Sequence, residues 1–372
     1  MQLCKKCIVP DSFPGVTFEE GVCSYCRAHE ALRKIDREVL GEEKLRESIL
    51  SHRSGEFDCG VPISGGKDSS YVLYHLVRRM GLRPLALFFD NGFINELAGE
   101  NVRGICDALG VELVIGNATR HRRALVREAL LTSKHLGRFV RICGNCENNL
   151  RSFTINEAAR RGVGLLIWGS TDFEEGAEFY IDPDLDSFRQ YHGRSGYLVR
   201  RARKALATLS GGSQNPADQF RAAWHGIKCL YHGVRDNIAQ DAPEGWRRLN
   251  PFLEVSFEGK PVESISFFDY IPYDPEAMIL TLKQEIAWRA PADREARMDC
   301  MIHALANYQH LAQTGITRDG FTLTVLVRNG LLGREEALRK EEAMKRELIA
   351  ECRELLDRTG IDVGDLLREI PC

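Results

Sequence analysis

From about residue 57 to residue 170, short apolar runs alternate with amphipathic stretches of helical period, and that alternation leaves few folds open. VPIS (61–64), RPLALFFD (83–90), VELVIGN (111–117) and LLIWGS (165–170) have the length and apolar character of strands. Between them, SSYVLYHLVRRM, NELAGENVRGICDALG, ALVREALLTSKHLG and CENNLRSFTINEAARRG repeat apolar residues at helical spacing. The pattern predicts an α/β fold, a doubly wound, mostly parallel sheet.

The first strand runs into SGGKDSS, residues 64–70. Gly65 and Gly66 let backbone approach a ligand, and the first N–H groups of the following helix have no intrahelical partner. The helix dipole favours an anion there. Ser64, Ser69 and Ser70 add hydroxyl donors, and Lys67 adds a positive point charge. Asp68 would repel an anion, so a Mg²⁺ ligand suits it better. The loop is therefore expected to hold the phosphates of a nucleotide with magnesium. It is neither the Walker A pattern nor GxGxxG. The plainer alternative is a glycine-containing strand-to-helix turn with a capping serine.

Twelve cysteines in 372 residues are too sparse for a disulfide scaffold, and three pairs have Cys-x2-Cys spacing. Cys4/Cys7 and Cys23/Cys26 stand fifteen residues apart and suit a closed, structural Zn²⁺ site. Cys143/Cys146 opens a predicted helix. Cys300 and His303 stand three apart on another, as a ligand pair or as ordinary helix residues.

The length predicts two or three domains: a knuckle with a helical connector (1–53), a nucleotide-binding domain (54–250) and a helical C-terminal region (251–372). A net charge of −3 argues against a general nucleic-acid binder, although residues 194–204, RSGYLVRRARK, form a local basic run. Such a run suits RNA phosphates, a sugar-nucleotide diphosphate or a solvated helix face. Residues 1–10 lack the apolar core of a signal peptide, and no run approaches bilayer length, so a soluble, cytoplasmic protein is expected.

SGGKDS resembles the signature of the PP-loop ATP pyrophosphatases, whose fold is adenine nucleotide alpha hydrolase-like. That resemblance implies cleavage of ATP between its α and β phosphates, adenylation of an acceptor oxygen, and displacement of AMP by a nitrogen or sulfur nucleophile. It implies catalytic roles for Lys67 and Asp68. It places Asp90 and Asn91 of FFDNGF (88–93) at the adenosine, where a strand-ending turn is the alternative. WGSTDFEEG (168–176) resembles a motif-bearing segment of related thiolases and so brings in Gly169 and Asp172, with Ser170 where those thiolases carry histidine.

Two branches of the superfamily are represented. CKKCIVPDSFPGVTFEEGVCSYC, SFFDYIPYDPEAMILTLKQEIAWR (266–289) and LVRNGLLGREEALRK (326–340) resemble the N-acetyl sugar amidotransferases of lipopolysaccharide and O-antigen biosynthesis. This implies a nucleotide-linked N-acetyl sugar as acceptor and ammonia from a separate glutaminase partner. RICGNCENNLRSFTINEAARRGVGLLIWGS resembles the iron–sulfur tRNA thiolases. In that alternative Cys143, Cys146 and a later cysteine, Cys229 or Cys300, hold a [4Fe–4S] cluster and tRNA is the partner; a second zinc or unliganded thiols remain open. A homodimer is compatible with either branch.

Overall fold

The computed structural model of the chain describes residues 2–32, 39–118, 120–136, 142, 144–170, 215–239, 256–257, 260–289, 300–362 and 367. A hairpin of β1 (Phe18–Glu19) and β2 (Val22–Cys23) leads into α1 (Ser24–Leu32) and α2 (Glu42–Ser51). β3 (Cys59–Pro62) is followed by α3 (Lys67–Tyr74), which runs on through a π turn at His75–Arg79. β4 (Pro84–Asp90) is followed by α4 (Glu96–Leu109), and β5 (Leu113–Asn117) by α5 (His121–Leu136) and α6 (Gly144–Arg160). Next come β6 (Leu165–Trp168), α7 (Pro216–Ala239), the hairpin of β7 (Ser256–Phe257) and β8 (Lys260–Pro261), and β9 (Glu263–Ser266). α8 (Pro275–Glu285), α9 (His303–Thr314), α10 (Arg318–Arg328) and α11 (Arg334–Thr359) follow.

β3, β4, β5, β6 and β9 form one sheet in the order β5-β4-β3-β6-β9, and every pairing in it is parallel. The side-chain period of two explains why β4 reads as a continuous apolar run. Ala86 and Phe88 point into a core with Val72, Leu73 and Leu76 of the α3 segment and Val102 and Ile105 of α4. Leu85, Leu87 and Phe89 point the other way, towards Phe153 and Ala158 of α6. β6 splits likewise, Leu165 and Ile167 to the first core and Leu166 to the second. The sheet is therefore doubly wound, as the alternation predicts. The chain leaves β3 towards β4 and returns on its other side with β6, so the topological switch point lies between β3 and β6.

Residues 263–266 are a sheet strand, whereas the sequence beyond 250 reads as largely helical. ESIS is short and its residues are exposed or half-buried at the sheet edge, so no apolar run marks it. α7 also forms in a stretch that the sequence reading left unassigned, whereas α10 falls within the expected helical C-terminal region.

The C-terminal helices pack against the N-terminal knuckle. Phe13 stacks on Phe321 with ring centroids 4.6 Å apart, and Ile316, Val325 and Ala337 complete that core. No described helix is long and apolar enough to cross a membrane.

Candidate functional site

SGGKDSS lies at the switch point, between the end of β3 and the first turn of α3. Gly65 has φ +80°, and a Cβ there would come 2.2 Å from the Ala98 carbonyl oxygen of α4. Both the backbone angle and the close approach require glycine. Gly169, just after β6, is confined less severely: a Cβ there would lie 3.0 Å from the Ser69 nitrogen. The two strand ends on either side of the switch point are thus pressed against one loop. Gly65→Ala is expected to destabilise the fold by about 2–3 kcal/mol and to displace the loop. A urea melt of the variant with an unchanged midpoint would contradict this.

The loop is held open by its own side chains. The Ser64 N–H donates to Ser69 Oγ at 3.1 Å, the two serine hydroxyls are 3.2 Å apart, and the Gly66 N–H donates to Ser64 Oγ at 3.4 Å. Ser70 lies deeper: its side chain is fully buried and its hydroxyl has no hydrogen-bond partner among the described residues. Gly66 caps α3 in an extended conformation with no side-chain cap, which leaves the helix N-terminus to an anion.

Lys67 and Asp68 open that helix and face each other, Nζ to Oδ2 at 2.7 Å. Tyr273, from the turn before α8, covers the ammonium with its ring centroid 5.5 Å from Nζ. Burial works to pull the Lys67 pKa down, but the Asp68 carboxylate and the Tyr273 phenol outweigh it and hold the ammonium above the usual lysine range. Sequence reasoning weighs Asp269, Tyr270, Tyr273 and Asp274 as a pocket lip or as a turn. Asp274 is a turn residue whose carboxylate caps α8 at Ala277, whereas Tyr273 belongs to the site.

Asp90 and Asn91 sit at the C-terminal end of β4, next to the loop's strand. Asp90 Oδ1 accepts the Gly92 N–H at 2.8 Å, and Asn91 Oδ1 accepts the Phe93 N–H at 2.8 Å. Both side-chain oxygens, one carboxylate and one amide, therefore shape the turn. Asn91 also donates from Nδ2 to Cys300 Sγ at 3.1 Å. Cys300 precedes α9 and forms a backbone bridge with Ile94, and His303 pairs with Asp319 at 2.7 Å, which favours the reading of Cys300 and His303 as ordinary structural residues over a ligand pair.

The four knuckle cysteines form a second centre. Cys4, Cys7, Cys23 and Cys26 are buried with their sulfurs all within 4.8 Å of one another. Cys4–Cys26 is 3.9 Å and Cys7–Cys23 is 3.7 Å. A tetrahedron with metal–sulfur bonds of about 2.3 Å has edges of about 3.8 Å, so the set fits one ion. A cubane would hold its thiolates farther apart, each beyond a separate iron. Hydrogen bonding from Cys26 and Cys7 pulls the Cys23 thiol far down, and the same contact with Cys23 pushes Cys26 up.

Cys146 and Cys229 pack in different apolar clusters. Cys146 on α6 lies with Trp168, and Cys229 on α7 lies against the α5, α9 and α11 side chains. Cys143 and Asp172 lie outside the described residues, as does the basic run 194–204.

Two positions escaped sequence reasoning. Trp288 donates from Nε1 to the Gly65 carbonyl oxygen at 3.0 Å, and Asn101 donates from Nδ2 to the same oxygen at 3.3 Å. Asn101 had a legible signal: it is an amide within the apolar face Ala98, Val102, Ile105, Cys106 and Leu109 of α4.

No family model and no curated protein matches the chain. Among solved structures it is similar to the U34-tRNA thiolase NcsA from Methanococcus maripaludis with its [4Fe–4S] cluster, at 15% identity and a TM-score of 0.40, over 94% of this chain and 88% of that one. At that distance nothing about activity carries over. The chain folds as a parallel five-stranded α/β sheet with a glycine-containing loop at its switch point, an N-terminal four-cysteine centre and a helical C-terminal part.

Proposed function

We propose that this chain is an ATP pyrophosphatase of the PP-loop kind, which adenylates an acceptor oxygen and releases pyrophosphate. The observation that carries the proposal is the position of SGGKDSS: an uncapped helix N-terminus, the confined Gly65 and a lysine–aspartate pair at the switch point of a parallel sheet. Ser64, Gly65, Gly66, Lys67, Ser69 and Ser70 would hold the phosphates, and Asp68 would hold Mg²⁺. Magnesium there supplies neutralisation of the charge that builds on the departing pyrophosphate. Asp90, Asn91 and Gly169 would border the nucleoside, and Asp172 completes the proposed catalytic set. One Zn²⁺ would sit in the knuckle as a structural ion.

For the acceptor, the proposal follows the sequence resemblance: an acetamido oxygen on a nucleotide-linked N-acetyl sugar, with ammonia from a glutaminase partner displacing AMP. An amide oxygen is a poor leaving group and its adenylate a good one. The segments that resemble the amidotransferases have clear structural tasks. Residues 266–289 carry Tyr273 and Trp288 to the loop, and residues 326–340 carry Arg328 and Arg334 to the knuckle. A second reading, sulfur transfer to tRNA or a nucleoside, is favoured by one observation: Cys146 shares an apolar cluster with Trp168, the last residue of β6 before Gly169.

Anaerobic purification with an absorption spectrum and metal analysis separates the two. A colourless protein with about one zinc, forming AMP and pyrophosphate with ammonia, is the expected result. A brown protein with about four irons, lost when Cys143 is replaced, would move the assignment to the thiolase.

A further inference from the structure

The Gly65–Gly66 peptide is the one unit in the loop flanked by two glycines, so sterics alone allow it either orientation. A trans peptide points its C=O and N–H in opposite directions, and no cis bond is present among the described residues. Whatever fixes the Gly65 oxygen therefore aims the Gly66 N–H. Two buried side chains fix that oxygen: the Trp288 indole at 3.0 Å and the Asn101 amide at 3.3 Å. With the oxygen held on their side, the Gly66 N–H faces the inside of the loop, where Ser64 Oγ lies 3.4 Å away.

The two donors come from separate elements and are tied to each other. Asn101 donates to the Arg289 carbonyl at 2.8 Å and accepts the Arg289 N–H at 3.2 Å, and Arg289 also pairs with Glu100. Trp288 and Arg289 end the segment that starts with β9 and carries Tyr273 to Lys67. One strap thus touches the loop twice, at the Lys67 ammonium and at the Gly65 carbonyl.

We propose that Trp288 and Asn101 are positioning residues that latch the Gly65–Gly66 peptide with its N–H turned into the loop, presenting a backbone donor to the phosphates. The proposal rests on the loop being a phosphate site. A flipped peptide would turn the Gly65 carbonyl into the same space and repel them. The latch acts on the phosphate end alone, because neither residue touches the Asp90–Asn91 turn through any bond described here.

The test is Trp288→Phe, which keeps a ring in the core and removes the N–H. Calorimetric titration with magnesium pyrophosphate and, separately, with AMP reads the two halves of the site. Pyrophosphate affinity is expected to fall about tenfold, the worth of about one hydrogen bond, with AMP affinity within about twofold of the parent. A fall in both, or in neither, would overturn the latch, since a merely structural role affects the two ligands alike. If the parent protein binds neither ligand, the phosphate assignment of the loop fails. The latch is then judged on the ligand-free protein by the Trp288 indole proton, identified by its loss in Trp288→Phe. Slow solvent exchange supports the bond to Gly65, and fast exchange overturns it.

Discussion

Cys4→Ser is expected to release the knuckle metal and lower the thermal midpoint by about 10 °C. Loss of a metal site is among the few single changes that cost a protein more than about 4 kcal/mol, and in a chain of this size each kcal/mol moves the midpoint by about 2 °C. Cys4 is the hub of its cluster. Its sulfur accepts the N–H groups of Lys6, Cys7 and Cys23 at 3.4, 3.5 and 3.3 Å. Its carbonyl accepts Arg334 of α11 at 3.0 and 3.2 Å. Arg328 of α10 reaches Cys7 Sγ at 3.8 Å, and Ser12 donates to the Thr314 carbonyl of α9 at 2.9 Å. A knuckle without its ion loses the cross-link that orders these groups, and the loss exposes Ile316, Phe321 and Val325 beneath it. The damage should therefore spread to α10 and α11 rather than stay within the first 26 residues. Metal analysis and thermal unfolding of the same preparation check both parts. Unchanged zinc stoichiometry in the variant would sink the assignment of the four cysteines to one ion.

The parts of the fold set by local periodicity were legible in the sequence, and the parts set by distant contacts were not. β4 and β6 read as buried strands because their residues are apolar towards both faces of the sheet. β9 did not, because an edge strand needs no apolar run to pair its backbone with β6. α7 has a legible helical period, since Phe220, Trp224, Ile227 and Tyr231 recur at i, i+4, i+7 and i+11, but that stripe is exposed and the buried face carries the small Ala222 instead. In the site, SGGKDSS and the four knuckle cysteines were legible because their spacing alone states a chemistry. Trp288 was not, because its role depends on a contact 223 residues away along the chain. Asp90 and Asn91 stand at the strand end where the sequence places them, and their side-chain oxygens make the strand-ending turn that the sequence reading held as the alternative.

Asp68→Ala should abolish AMP and pyrophosphate formation, with turnover falling by at least about a thousandfold, while the chain stays folded. A thousandfold loss corresponds to about 4 kcal/mol of transition-state stabilisation, the scale of a group that places charge against a developing anion. The structural cost is small. Asp68 is partly exposed in the first turn of α3, where a carboxylate adds about 0.3–1 kcal/mol through the helix dipole. The 2.7 Å contact with Lys67 adds a second expectation that separates metal loss from collapse of the loop. As long as Asp68 neutralises Lys67, the ammonium is engaged with a carboxylate rather than with phosphate, so an incoming phosphate must displace it. With Asp68 holding Mg²⁺, Lys67 would be free to engage phosphate, which would make metal and phosphate binding mutually favourable. Removing the carboxylate removes the group that Lys67 and magnesium would share, and leaves the lysine free. Pyrophosphate binding measured without magnesium should therefore become tighter in Asp68→Ala than in the parent, and added magnesium should no longer improve it. A variant that stays fully active would sink the PP-loop assignment. A folded variant that loses metal-free pyrophosphate binding would show instead that Asp68 holds the loop in shape, with Lys67 positioned by its partner rather than restrained by it.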